Sequence, residues 1–239
     1  MRAYLHISKK SSTFARYFVK MRYEKEDIEA ALGVLRAGGI IVYPTDTVWG
    51  LGCDATNAEA VAKLYALKQR EDSKSMLVLL DSAAKLNYYV QDVPETAWTL
   101  LEAVSDTDTP RYRDTDTPKK QKNETPEYRD SEEAKPLTII YPRARNMAAN
   151  LIAEDGSIGI RITNEPFSKA LCAQLRHPIV STSANISGRP TARFFEEIEQ
   201  EVLDKADYVC RYRREDDVPC EPSSIIKINE DNSFRIIRP

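Results

Sequence analysis

Residues 178–191 read P-I-V-S-T-S-A-N-I-S-G-R-P-T. A short apolar run that opens into hydroxyls, an amide, a glycine and an arginine is the pattern of a buried strand ending at a polar pocket. Ser181, Thr182, Ser183, Ser187 and Thr191 offer donors and acceptors on short stems, and Gly188 lets the backbone approach a ligand or take a positive φ. The same residues also suit a Ser/Asn turn before a helix. What lies on either side decides between the two.

Upstream, Asp27 stands where it can cap a helix whose apolar positions Ile28, Ala31, Leu32 and Leu35 recur at helical spacing, and Gly38-Gly39 ends it. Ile40 to Tyr43 reads as a buried strand, and Pro44 to Gly52 as a polar, glycine-punctuated segment leaving it. Asn57 caps a second helix carrying Val61, Leu64 and Leu67 and finishing at Lys68. A charged loop then leads to the apolar run Met76 to Leu80, and Ser82 and Pro94 each start further helical stretches. Beyond residue 134, strands are expected at Leu137–Tyr141 and Gly156–Arg161, and Glu165-Pro166 opens a helix into the strand at 178. Phe194 to Leu203 reads as helical, followed by Tyr208-Val209 and a closing strand pair at 225–228 and 234–237. This alternation predicts an α/β fold with a twisted mixed sheet and flanking helices.

Two segments fall outside that pattern. Residues 1–22 carry six bases before the first acid, Glu24, and read as a disordered extension, with an organelle transit peptide or a start at Met21 as the other readings. From Thr109 to Glu132 the chain runs in three octads that each begin Thr-Pro and hold no aliphatic residue, too little apolar surface to fold. The expected organisation is therefore one domain over 23–239, interrupted by a disordered insertion at about 105–134. That insertion carries nine acids and six bases, so the rest of the chain holds 28 of each sign, and the formal charge of −3 belongs to the insertion.

Several chemistries are excluded or weakened. No run approaches the roughly 18 apolar residues of a membrane span, so a soluble, cytoplasmic protein is expected. The cysteines at 53, 172, 210 and 220 lack C-x-x-C spacing, which disfavours zinc. Gly50-Leu51-Gly52-Cys53-Asp54-Ala55 matches G-x-G-x-x-A, but six residues separate it from its strand and Glu71 and Asp72 precede the next one, so the dinucleotide reading fails on context. There is no P-loop and no nucleophile elbow. His177 precedes a proline at a strand entrance and reads as structural. What remains is a set of cations and hydroxyls at strand ends: Lys68, Arg70 and Lys74 in one loop, Arg161, Arg189 and Arg238 beside strands. Each alone suits a solvated helix or strand end; together with a serine-rich loop they suit a polyphosphate.

Six stretches in order carry a resemblance: P-T-D-T-V-W-G-L-G at 44–52, K-Q-R at 68–70, P-L-T at 136–138, S-I-G-I-R at 157–161, S-T-S-A-N-I-S-G at 181–188 and P-S-S-I-I at 222–226. Over about 23–239, repeats excepted, the chain resembles the YrdC-type threonylcarbamoyl-adenylate synthases. The resemblance implies a concave basic cavity and a reaction of L-threonine, bicarbonate and ATP to threonylcarbamoyl-AMP and pyrophosphate, with Mg2+ on the phosphates, feeding N6-threonylcarbamoylation of adenosine 37 in tRNA. Matched to its motifs, the catalytic K-x-R and S-x-N positions are Lys68, Arg70, Ser183 and Asn185. The implied ATP contacts are Arg70, Lys74, Ser157, Ser183, Thr191 and Arg238, and the implied threonine contacts are Thr47, Arg161, Ser181 and Ser223. No protein metal site is implied; tRNA or double-stranded RNA and other tRNA-modifying proteins are the implied partners. The chain departs from the pattern at Glu71 and Ser75, where prolines are usual, and at 133–135, where W-P-G is usual. Two other readings share these motifs: a non-catalytic RNA-binding module, for which Arg211, Arg213 and Arg214 with Tyr212 offer a local basic patch, and a carbamoyl-transfer enzyme like the hydrogenase maturation proteins.

Overall fold

The structure is a computed structural model that describes residues 25–69, 76–107, 135–216 and 221–239, the side chains of 105–107 excepted. Among these residues the strands form one nine-stranded mixed sheet: β1 (Ile41–Tyr43), β2 (Gly50–Gly52), β3 (Leu77–Leu80), β4 (Leu137–Tyr141), β5 (Ile158–Ile162), β6 (Ile179–Ser183), β7 (Tyr208–Val209), β8 (Ser224–Ile228) and β9 (Phe234–Arg238), ordered β7-β1-β2-β6-β3-β5-β4-β8-β9. The β1–β7, β3–β5 and β4–β8 pairs are parallel and the others antiparallel. The helices are α1 (25–36), α2 (Ala58–Lys68), α3 (Leu86–Tyr89), α4 (Glu95–Thr107), α5 (Pro166–Leu175) and α6 (Gln200–Lys205).

Period-two alternation sends the strand side chains to two cores. Val42, Leu51, Val78, Leu80, Ile160 and Val180 join one cluster with α2 residues Val61 and Leu64. Their neighbours Ile41, Tyr43, Leu79 and Ile179 join the other, under Leu32 and Leu35 of α1 and Leu171 and Leu175 of α5. Because α1 and α5 cover only part of that second face, the same alternation leaves Leu77, Thr138, Gly159, Arg161 and Ser181 pointing off the sheet toward open space among the described residues. They become the lining of a cavity.

Local chemistry sets the element ends. Asn57 Oδ1 accepts from Glu59 N and Ala60 N, each at 3.1 Å, a cap worth about 1 kcal/mol. The chain leaves α2 through Gln69 in the left-handed region, φ 50°. Glu165 caps α5, with Pro166 at its first position.

Three expectations are corrected. Asp27 lies inside α1 and caps nothing; its carboxylate, 1% exposed, accepts from Tyr208 Oη and from the main-chain N–H groups of Arg211 and Tyr212. Gly50 to Gly52 is a strand, not a loop, paired antiparallel with β1 and β6. Glycines sit there because the Tyr43 ring covers them: a Cβ on Gly52 would meet Tyr43 Cε1 at 2.7 Å and Val180 O at 2.6 Å. The expected helix Phe194–Leu203 is two pieces, a 3-10 turn at Phe195–Glu197 and then α6. Helix α4 also continues to Thr107, two residues past the expected start of the insertion; the rest of that insertion and the N-terminal 24 residues lie outside the described residues.

Candidate active site: a cationic cavity on the open face of the sheet

The cavity encloses about 690 Å³ and is lined from β2, β3, β4, β5, β6, β8, β9 and the loops at their ends. Of the residues expected from sequence, Thr47, Ser157, Arg161, Ser181, Ser183, Thr191, Ser223 and Arg238 all line it. Arg70 and Lys74 lie outside the described residues. Lys68 and Asn185 stand behind the wall, 2% and 5% exposed.

At one end Arg161 leaves β5, 3% exposed, with its Nε 2.9 Å from Asp46 Oδ1. That pair is a charge contact and not an aligned hydrogen bond, since neither atom has a hydrogen-bond partner. The Arg161 Nη groups make no hydrogen bond among the described residues, so the end of the fork is available to a ligand carboxylate. Beside it, Thr47 is set by a tight turn in which Thr45 Oγ1 donates to Val48 O at 2.8 Å and accepts from Thr47 N at 3.0 Å. Ser223 Oγ and Thr138 Oγ1 share a hydrogen bond of 2.8 Å, and Arg238 Nε donates to Ser223 O at 2.7 Å. Burial first, and the nearby Arg161 charge second, pull the Arg238 guanidinium below its usual pKa.

On the other wall, Lys68 Nζ donates to Ser183 O at 2.6 Å and to Asn185 Oδ1 at 3.0 Å. Ser183 Oγ also donates to Asn185 Oδ1 at 2.5 Å, and Asn185 Nδ2 donates to Arg189 O at 2.5 Å. Gly188 takes φ +84° in the turn that follows. The buried ammonium therefore shapes the exit of β6 from behind. At the rim Ser157 Oγ and Lys227 Nζ both donate to Asp155 at 2.5 Å, and these bonds lower the Asp155 carboxyl to about 2.

Sequence reasoning missed Asp46, Thr138, Asp155, Lys227 and Arg235. Strand alternation marks Thr138, Lys227 and Arg235, which share a sheet face with Arg161 through the β4–β5, β4–β8 and β8–β9 registers. Nothing local marks Asp46, whose partner is 115 positions away. Within the basic patch at 211–214, two arginines are used internally: Arg213 Nη1 donates to Thr45 O, and Arg214 donates to Cys210 O and Val209 O and lies over the Phe195 ring, while Arg211 is exposed with Nε 3.9 Å from Asp27 Oδ1. His177 is structural, Nδ1 lying 2.8 Å from Asp54 Oδ2. The G-x-G-x-x-A match falls within β2 and an isolated bridge, and no helix follows its glycines directly.

The family model Sua5_yciO_yrdC, described as "Telomere recombination", matches residues 33–108 and 114–239. The chain belongs to the Sua5/YciO/YrdC family. Among relatives of that family, a protein of Stutzerimonas stutzeri (strain A1501) named threonylcarbamoyl-AMP synthase is 33% identical over 173 residues, 72% of this chain and 78% of that one. The structure of P. abyssi Sua5 complexed with L-threonine superposes with a TM-score of 0.68 at 21% identity, over 89% of this chain; this chain spans 53% of that longer protein. The structure of E. coli YciO superposes with a TM-score of 0.66 at 22% identity, over 88% of this chain and 87% of its own. The Sua5/YciO/YrdC sheet is thus the frame that holds the cavity. Among the described residues no helix is long and apolar enough to cross a membrane.

Proposed function

We infer that this chain is an L-threonylcarbamoyladenylate synthase, a nucleotidyltransferase that joins L-threonine, bicarbonate and ATP into threonylcarbamoyl-AMP and pyrophosphate. One observation carries the reading: Arg161 and Arg238 share a hydroxyl-rich cavity at the open face of the sheet, two guanidiniums where a carboxylate and a polyphosphate need neutralising. The relatives' name and the family motifs support the same reaction.

The arrangement suggests a role for each wall. The free end of the Arg161 fork suits the threonine carboxylate, with the Thr47, Ser181 and Ser223 hydroxyls around the amino acid. Ser157, Ser183, Thr191 and Arg238, which line the same cavity, suit the nucleotide and its phosphates; the family motifs assign Arg70 and Lys74, outside the described residues, to the same ligand. Threonine's amine adds to CO2 with loss of a proton, or to bicarbonate with loss of water, to give a carbamate; a carbamate oxygen then attacks the α-phosphorus and the bond from that phosphorus to the α,β-bridging oxygen breaks, releasing pyrophosphate. Displacement at phosphorus depends mainly on alignment and charge neutralisation, which hydroxyls and guanidiniums provide without a histidine base.

Mg2+ would arrive on the phosphates of ATP. Of the two carboxylates lining the cavity, Asp155 is already held by Lys227 and Ser157 and Glu154 stands exposed in the loop before β5, so the phosphates would be the main ligands. The mixed anhydride formed would be consumed by transfer to adenosine 37 of tRNA in the cytoplasm, with tRNA-modifying proteins as partners. The test is pyrophosphate release by the purified chain, together with the mass of the product. Release that requires both threonine and bicarbonate, with a product of the mass of threonylcarbamoyl-AMP, is expected. Equal release without threonine refutes the reading.

A further inference from the structure

The segment 208–216, which follows α6, is fastened to the domain at an unusual number of points. Asp27 takes the Tyr208 hydroxyl at 2.6 Å and the Arg211 and Tyr212 N–H groups at 2.8 Å each. The Tyr212 ring stacks on Phe167 with centroids 5.2 Å apart and planes 11° from parallel. Arg214 is tied to the carbonyls of Cys210 and Val209. The residue these contacts frame is Arg213, whose φ of 62° puts a non-glycine residue in the left-handed region.

Its guanidinium reaches out of that frame to a different part of the protein. Nη1 donates to Thr45 O at 3.0 Å, Nε donates to Asp216 Oδ2 at 2.5 Å, and Nη1 stands 3.9 Å from Glu165 Oε1. Glu165 is 6% exposed, and Oε1 has no hydrogen-bond partner. A buried carboxylate beside the guanidinium favours its charge and its orientation. Thr45 is the residue whose Oγ1 builds the turn carrying Asp46 and Thr47: it bonds Val48 O, Thr47 N and, at 3.0 Å, Thr47 Oγ1. Asp46 in turn touches Arg161. Arg213 thus grips the outer side of a turn whose inner side is the cavity wall.

We propose that Arg213 is a positioning residue for the amino-acid end of the cavity: by holding the Thr45 carbonyl it fixes the turn that presents the Thr47 hydroxyl and the Asp46–Arg161 pair. This rests on the synthase reading, because it takes threonine as the ligand of that end. It gives the internal bonding of Arg213 a role, and it confines that role to one substrate. A residue that merely stabilised the fold would weaken both ligands alike; the grip on Thr45 acts on the turn that carries Asp46 and Thr47, whereas Arg238 stands on β9 at the far end of the strand order and is held by Ser223.

The test is calorimetric binding of L-threonine and, separately, of ATP to the wild-type chain and to Arg213→Ala and Arg213→Lys. The expected result is a threonine Kd raised tenfold or more in Arg213→Ala, an ATP Kd within twofold of wild type, and partial recovery of threonine binding in Arg213→Lys, whose ammonium can still donate to the carbonyl. An unchanged threonine Kd overturns the proposal, as does a loss of equal factor for both ligands. If Arg213→Ala does not fold, Asp216→Asn, which weakens the partner of Nε at a half-exposed site, is expected to lower threonine affinity by a smaller factor with ATP unaffected; undiminished threonine affinity there also overturns it. Wild-type protein that binds no threonine removes the synthase reading itself, whereas wild type and Arg213→Ala binding threonine equally removes only the role of Arg213.

Discussion

Replacing Lys68 by methionine isolates what the buried ammonium contributes, because methionine keeps the length and most of the volume of lysine and loses its charge and donors. In the native chain Nζ, on a residue 2% exposed, donates to Ser183 O and Asn185 Oδ1. A hydrogen bond to a charged group contributes about 1.5–3 kcal/mol net, and here two acceptors each lose one donor while keeping another, Asn185 N for Ser183 O and Ser183 Oγ for Asn185 Oδ1. Against this runs the relief of an ammonium removed from water, a cost of several kcal/mol. The two terms largely offset, which leaves a destabilisation of about 1–3 kcal/mol, or a Tm lowered by roughly 2–12 °C for a chain of this size. The effect on turnover is larger. Ser183 and Asn185 are both bonded to this ammonium, and a displacement of about 1 Å in a group that aligns reactants costs on the order of a hundredfold. Thermal denaturation followed by circular dichroism, with pyrophosphate release at saturating threonine, bicarbonate and ATP, measures both. Wild-type turnover in Lys68→Met refutes the reasoning. A hundredfold loss of turnover with no change in Tm and a raised KM for ATP alone refutes it differently: it would show the ammonium working on the phosphates and not on the wall.

Arg161→Gln removes the fork from the threonine end; kcat/KM for threonine is expected to fall by about a hundredfold or more, measured by pyrophosphate release over a threonine titration. Asp155 has a folded pKa of about 2 against an ordinary 3.8, so its bonds to Lys227 and Ser157 contribute stability that is full above about pH 4 and is lost as pH falls toward 2; Lys227→Met is expected to raise the pH midpoint of acid unfolding, read by circular dichroism. Asp27→Ala strips three donors of their acceptor at a site 1% exposed and is expected to cost about 3 kcal/mol, measured by urea unfolding. Replacing 109–132 by a short Gly-Ser linker is expected to leave Tm within about 2 °C, since the octads hold no aliphatic residue to bury; a large drop in the melting scan counts against that view of the insertion.

Most of the fold was legible because its signals are local. The Asn57 cap, the Glu165-Pro166 start and the apolar runs at 41–43, 77–80, 137–141 and 225–228 each act over a few residues, and the structure keeps all of them. The failures share a cause. At β2 the glycines read as a loop, since a strand's need for glycine arises only when a distant ring, Tyr43, lies across it. At Asp27 the cap reading was reasonable for the residue type, but its partners are more than 180 positions away. The site follows the same division. Its hydroxyls stand together at 181–191 in the sequence, while the Asp46–Arg161 contact and the anchoring of Ser183 by Lys68 exist only once the sheet is assembled.

Charge shows why the assembled sheet, and not the composition, decides function. Outside the insertion, acids and bases are equal in number, and that balance predicts no affinity for anions. Alternation along β4, β5, β8 and β9 then sorts them: Arg161, Lys227, Arg235 and Arg238 reach the cavity, against Glu154 and Asp155 from the loop before β5. Lys227 is neutralised by Asp155 at the rim and Arg161 is partly neutralised by Asp46. Arg238 keeps its charge beside Arg161 at a cost, since burial and that neighbour both work against it. Two guanidiniums near enough to repel, Arg238 held by the Ser223 carbonyl and Arg161 beside Asp46, lose this repulsion when an anion enters between them, so the favourable term appears on binding and not on folding. A neutral protein can in this way hold a cavity that selects polyphosphate and carboxylate together, provided the strands carrying the two arginines are fixed before the ligand arrives. The β4–β5 and β4–β8 ladders fix β5 and β8 on either side of β4, and the β8–β9 ladder, with a register shift at Ile225/Ile226, carries that support on to Arg238.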